Sequence, residues 1–131
     1  MKRTLFAAAA ACGLLAAPVL AGDASGNWAT EKNDEGAYLV VEMKPCGDKT
    51  CGYIAEAFGA GGVSDPNYQH LGKVMVSDMV PDGENMWDDG EIWDPSEDKR
   101  YNSNMELKGD ILTVKGCVLF ICRGQDWTRV N

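Results

Sequence analysis

From Arg100 to Leu107 the chain alternates strictly. Tyr101, Ser103, Met105 and Leu107 fall on one face, and Arg100, Asn102, Asn104 and Glu106 on the other. A period of two is the signature of a half-buried β-strand. Residues 94–98, Asp-Pro-Ser-Glu-Asp, precede it as turn chemistry: proline fixes φ, and Asp and Ser bond nearby amides. The other arm of this hairpin starts at Trp87. Gly90 sits within it, where a missing side chain permits a bulge or a close backbone approach. In a chain of short strands, such a hairpin points to a closed antiparallel sheet.

Further strands are expected over residues 26–31, 37–44, 51–58, 71–80, 111–117 and 123–130. Turn residues separate them: Asn33-Asp34-Glu35-Gly36, residues 45–50, Pro81-Asp82-Gly83 and Lys108-Gly109-Asp110. The longest connection spans residues 59–69, rich in glycine and then Ser64-Asp65-Pro66-Asn67; long loops often carry function. No stretch beyond the leader has a useful helical period. Eight short strands about a dozen residues apart suggest a sandwich or a barrel. The up-and-down hairpin order favours an all-β, eight-stranded antiparallel barrel, whose closure removes exposed edges. Such a barrel is either filled by its own side chains or holds one small ligand.

The compartment is legible as well. Lys2 and Arg3 precede an uncharged apolar run that ends at Val19-Leu20-Ala21, so residues 1–21 read as a cleaved signal peptide. The run is too short and wrongly flanked for a membrane span. Cys12 is a poor lipid acceptor, with Ala9 rather than leucine three residues before it. Removing 21 of 131 residues leaves 110, one domain over residues 22–131. Losing Lys2 and Arg3 leaves ten basic residues against twenty acidic ones. That surface repels nucleic acid and anionic membranes and suits solubility after export, to the periplasm or the medium.

Four cysteines remain: Cys46, Cys51, Cys117 and Cys122. In an oxidising compartment an even count reads as two bridges, with three possible pairings. The two equal spacings favour local pairs, Cys46 with Cys51 and Cys117 with Cys122, each closing a hairpin end. The rival reading, a four-cysteine zinc site, ordinarily shows tighter CxxC spacing. Nine carboxylates lie between Asp78 and Asp98, but their order does not match a calcium loop and reads as a solvated face. No metal and no cofactor is implied.

Alternation defines two faces per strand without saying which is interior. Leu39, Val41 and Met43 oppose Tyr38 and Val40; Tyr53, Ala55 and Ala57 oppose Gly52, Ile54 and Glu56. The expected contacts to a hydrophobic ligand are Tyr38, Val40, Tyr53, Trp93, Tyr101, Met105, Leu119 and Phe120. Hairpin tips are normally polar, so Val118, Leu119, Phe120 and Ile121 at one tip need an explanation. The plain reading folds them over to plug a barrel mouth. The sharper one makes them a lip for a lipid-like ligand or a partner. Gly26 and Trp28 open the barrel, and Trp127 and Arg129 close it. In a closed barrel the end strands are neighbours, so Arg129 is expected over the Trp28 ring.

The ordered set GNW, CGDKTCGYI, LGKVMV, MWDDGEIWDP, KRY and CVLFICRGQDWTR resembles the family called domain of unknown function 2147. The likeness runs from about Gly26 to Arg129. It implies a small secreted bacterial protein with a lipocalin-like or calycin-like barrel, and it supplies a fold rather than a reaction. Residues 65–70 depart from the family's longer loop and lack its arginines, so no gate or anion contact is carried over there. Asp98 also stands before Lys99 where relatives have glycine.

Catalytic residues are not indicated. His70 is the only histidine, with no nucleophile motif near it, and nothing singles out one carboxylate pair. The sequence therefore points to a non-enzymatic, exported barrel that binds a small hydrophobic molecule. The alternative is a filled barrel that meets a protein partner through residues 118–121 and the acidic turns.

Overall fold

The computed structural model describes residues 23–130, so the expected leader over residues 1–21 lies outside the described residues. Eight antiparallel strands follow one another around a closed barrel. They are β1 (Gly26–Ala29), β2 (Tyr38–Cys46), β3 (Lys49–Phe58), β4 (Val74–Pro81), β5 (Met86–Asp94), β6 (Lys99–Lys108), β7 (Ile111–Val118) and β8 (Ile121–Arg129). The all-β, up-and-down barrel expected from the alternation is what the chain forms. A 3-10 turn, Ala60–Gly62, sits in the β3–β4 connection. Among the described residues, no helix is long and apolar enough to cross a membrane.

Some boundaries differ from expectation. β1 stops at Ala29 rather than at 31, and β8 begins at Ile121 rather than at 123. Both shifts matter for the site below. The β2–β3, β4–β5 and β6–β7 turns gather at one end, the base. The other four connections gather at the rim.

The base half is solid. Trp28, Val41, Met43, Ile54, Val76, Met79, Met105 and Leu112 are almost wholly buried there. Two inward glycines make room for two methionines. A Cβ at Gly52 would lie 2.5 Å from Met43 Sδ, and one at Gly90 would lie 2.6 Å from Met79 Sδ. Flexible thioethers fill such irregular gaps well. Gly90 follows a bulge: Trp87 pairs with Met105 but Gly90 with Ser103, and Asp89 takes a φ of 60°. The extra residue turns Trp87 and Gly90 to the same interior side.

The base is sealed by the chain's own start. Trp28 Nε1 donates to the carbonyl of Ala24 at 2.8 Å, which holds Ala24 buried beneath the barrel. The Arg129 guanidinium lies 4.3 Å from the Trp28 ring centroid and its Nη1 donates to the Ser25 carbonyl at 3.1 Å. Cys46–Cys51 clips the β2–β3 hairpin at the base, and Cys117–Cys122 clips the β7–β8 hairpin at the rim. Of the three possible pairings, the chain makes the one in which both bridges are local.

The seam is closed only near the base. β1 meets β8 through Trp28 opposite Arg129 and Ala29 opposite Thr128. Above that level β8 is paired with β7 but has no strand on its β1 side, and its residues from Ile121 to Asp126 are all exposed. The Glu31 carboxylate accepts the Asp126 amide at 2.7 Å and so covers part of that bare edge.

Candidate functional site

The rim half is hollow. A cavity of about 830 Å3 opens there, of a size typical for small-molecule sites. Val114 and Trp127 are buried at its floor; Met75, Ile92, Trp93 and Tyr101 form its walls; and Val118, Leu119, Phe120 and Ile121 stand at its lip. Asp94, Ser96, Arg123 and Gln125 add polar groups near the mouth. The strand period explains the placement. Along β7 the inward row is Leu112, Val114, Gly116 and Val118. Along β8 it is Trp127, Gln125, Arg123 and Ile121.

Gly116 is what keeps the cup open. A Cβ there would face Tyr101 Cβ at 3.4 Å and Ile92 Cγ2 at 3.5 Å, so the position looks inward with no side chain to fill the space. The two indole N–H groups are satisfied locally. Trp93 donates to Asp98 Oδ1 and Trp127 to Gln125 Oε1, each at 2.9 Å. The Trp127 ring is thus left for apolar contact, while the Lys73 and Arg100 cations each lie 5.9 Å from the Trp93 ring centroid.

The long β3–β4 connection folds onto the rim. Tyr68 packs against the core, and His70 stands edge-on to Tyr68 at 5.3 Å and to Trp93 at 5.1 Å. His70 Nδ1 lies 3.0 Å from Lys73 Nζ. Burial pushes the Tyr68 hydroxyl above its ordinary pKa, and the nearby Asp94 and Asp65 carboxylates push the same way. Tyr68 also lines a smaller recess of about 360 Å3 that shares Met75, Asp94, Ser96 and Gln125 with the cup.

The apolar tip does not fold over as a plug. Leu119 is 89% and Phe120 100% exposed. Val118 pairs with Ile121, so Leu119 and Phe120 alone make the turn. Leu119 has a φ of 55°, in the left-handed region. Two other two-residue turns of the barrel put glycine at this point: Gly47 at 71° and Gly109 at 60°. A bulky residue there costs about 1–2 kcal/mol, and leaving Leu and Phe in water forgoes roughly 1.5–3 kcal/mol each. The Cys117–Cys122 bridge, directly beneath, holds the tip upright.

Of the expected ligand contacts, the structure brings Trp93, Tyr101, Leu119 and Phe120 to the cup. Met105 belongs to the packed core instead. Tyr38 and Val40 line a separate cleft outside the barrel, where Phe58 stacks on Tyr38 at 4.6 Å. Tyr53 lies between inward Gly52 and Ile54, and its ring meets the Lys44 ammonium at 4.8 Å on the outer side. Aromatic character suggested Tyr38 and Tyr53, and apolar character Val40; the pleat turns all three away, since Leu39, Val41 and Met43 take the interior on β2 and Gly52 and Ile54 on β3. Met75, Ile92, Val114, Gly116, Arg123 and Gln125 were not anticipated. The available signal was the alternation of Arg123 and Gln125 with Trp127.

In a solved structure titled "Protein HP1028 from the human pathogen Helicobacter pylori belongs to the lipocalin family", the fold is similar. The TM-score is 0.66 and the identity 15%, over 83% of this chain and 84% of that one. At that identity the likeness speaks for the barrel alone. No curated protein matches the sequence. The model of the family described as "Uncharacterized protein conserved in bacteria (DUF2147)" matches residues 26–129, and the chain belongs to that family.

Proposed function

We propose that the protein is an exported, non-enzymatic binder that holds a small hydrophobic molecule in the rim cup. The observation that carries this reading is the division of one barrel into a solid base and a hollow, mostly apolar rim half. A barrel that needed only to be stable would gain from filling both halves. Export is supported by the signal-like leader and by two disulfides, which persist in oxidising compartments. A binding role rather than catalysis is supported by the lining. Its only aliphatic hydroxyl, on Ser96, donates to Asp94 Oδ1, and His70 is engaged with Lys73 and two aromatic rings.

The test uses the neutral fluorophore N-phenyl-1-naphthylamine with the mature protein. Its emission should rise on binding, and Gly116→Leu, which fills the cup, should abolish the rise while circular dichroism stays that of a folded barrel. Equal emission from both proteins, or none from either, would overturn the reading.

The exposed tip favours a second reading, contact with a protein partner through residues 118–121 and the acidic turns. Replacing Leu119 and Phe120 with serine should then abolish partner capture and leave the melting point nearly unchanged.

A further inference from the structure

Resting on the cup reading, we infer that the ligand is a single-chain amphiphile with one negative charge on its head group. Arg123 carries this inference. It lines the cup on the inward row of β8, and its guanidinium makes no ion pair or hydrogen bond among the described residues. In a chain with twenty acidic residues, an unpaired guanidinium at an apolar cavity is an unused binding group. A planar, permanently charged fork of donors suits a carboxylate or sulfonate.

The surroundings agree with that role. Arg123 is opposite Gly116 in the β7–β8 register, and the Tyr101 ring lies over the same glycine from the β6 side. The notch at Gly116 is therefore flanked by a guanidinium on one strand and by a phenol on another. The Tyr101 hydroxyl also has no partner among the described residues. Asp94, the carboxylate of the lining, accepts the Ser96 amide at 2.9 Å and hydroxyl at 2.7 Å through Oδ1. Below the notch the lining is apolar through Ile92, Val114 and Trp127, which suits a hydrocarbon chain. The surplus of acidic groups elsewhere disfavours a head with several charges.

Dodecanoate, dodecanol and dodecyltrimethylammonium differ only at the head and serve as probes, with affinities read by titration calorimetry on the mature protein. Dodecanoate should bind at least tenfold more tightly than dodecanol. Arg123→Gln should bring dodecanoate down to the dodecanol level and leave dodecanol unchanged. Comparable binding of dodecanoate and dodecanol to the unaltered protein would overturn the charge assignment and leave the cup standing. So would an Arg123→Gln variant that loses both equally. Failure of all three to bind would sink the cup reading and this inference with it.

Discussion

Trp28 and Arg129 are register partners across the β1–β8 seam, and the guanidinium of one lies 4.3 Å from the ring centroid of the other. With so short a seam, this pair and its bonds to the 23–25 segment carry much of the closure. Arg129→Met should therefore cost about 1–2 kcal/mol, the scale of a partly desolvated cation–π contact with its hydrogen bonds. Urea unfolding should show the midpoint falling with the slope unchanged. A loss within the error of the measurement would mean that the seam holds without it.

Gly90 predicts a harder failure. A methyl group there would approach the Ser77 carbonyl oxygen at 2.7 Å as well as the Met79 thioether. Backbone cannot step aside as a thioether can. Gly90→Ala should cost about 1–3 kcal/mol, in the range of overpacked cores, whereas Gly116→Ala, which meets ordinary contacts, should leave the melting point almost unchanged.

Leu119→Gly should separate stability from function. Glycine removes the left-handed penalty of about 1–2 kcal/mol but adds flexibility to the unfolded chain, worth about 0.4–1 kcal/mol. The variant should be as stable as the parent or slightly more so by thermal melting. Uptake of N-phenyl-1-naphthylamine should fall, because one of the four apolar lip side chains is gone. A clear drop in melting temperature would show that the Leu119 side chain supports the fold.

Tyr68 ties the rim to alkaline pH. Burial and the two carboxylates hold its folded pKa above the ordinary tyrosine value. The folded state thus prefers the neutral phenol more than the unfolded chain does. That contribution is fully present below about pH 10 and is lost as pH rises through the folded value. Absorbance at 295 nm should show a late tyrosine ionisation, and Tyr68→Phe should remove it.

The fold was legible because its signals repeat. Strict alternation in 100–107, turn residues at even intervals and matched cysteine spacings all indicate short antiparallel strands. The cup was only partly legible. Alternation marks two faces, and the choice between them depends on neighbours far away in sequence. Thus Tyr38 and Val40 went outward because the unbroken alternation of β2 gave the interior to Leu39, Val41 and Met43. Arg123 was hidden for another reason: a charged residue reads as solvent-facing, and only the one-sided seam lets it face inward and stay wet. Nor does hydrophobicity announce that Leu119 adopts a backbone usual for glycine.

The methionine-filled base has one more consequence. Because folding is secured there, substitutions around the mouth are released from the duty of holding the chain together. A lineage built on this plan is free to drift at the upper positions. Distant members should then share an outline while differing around the mouth.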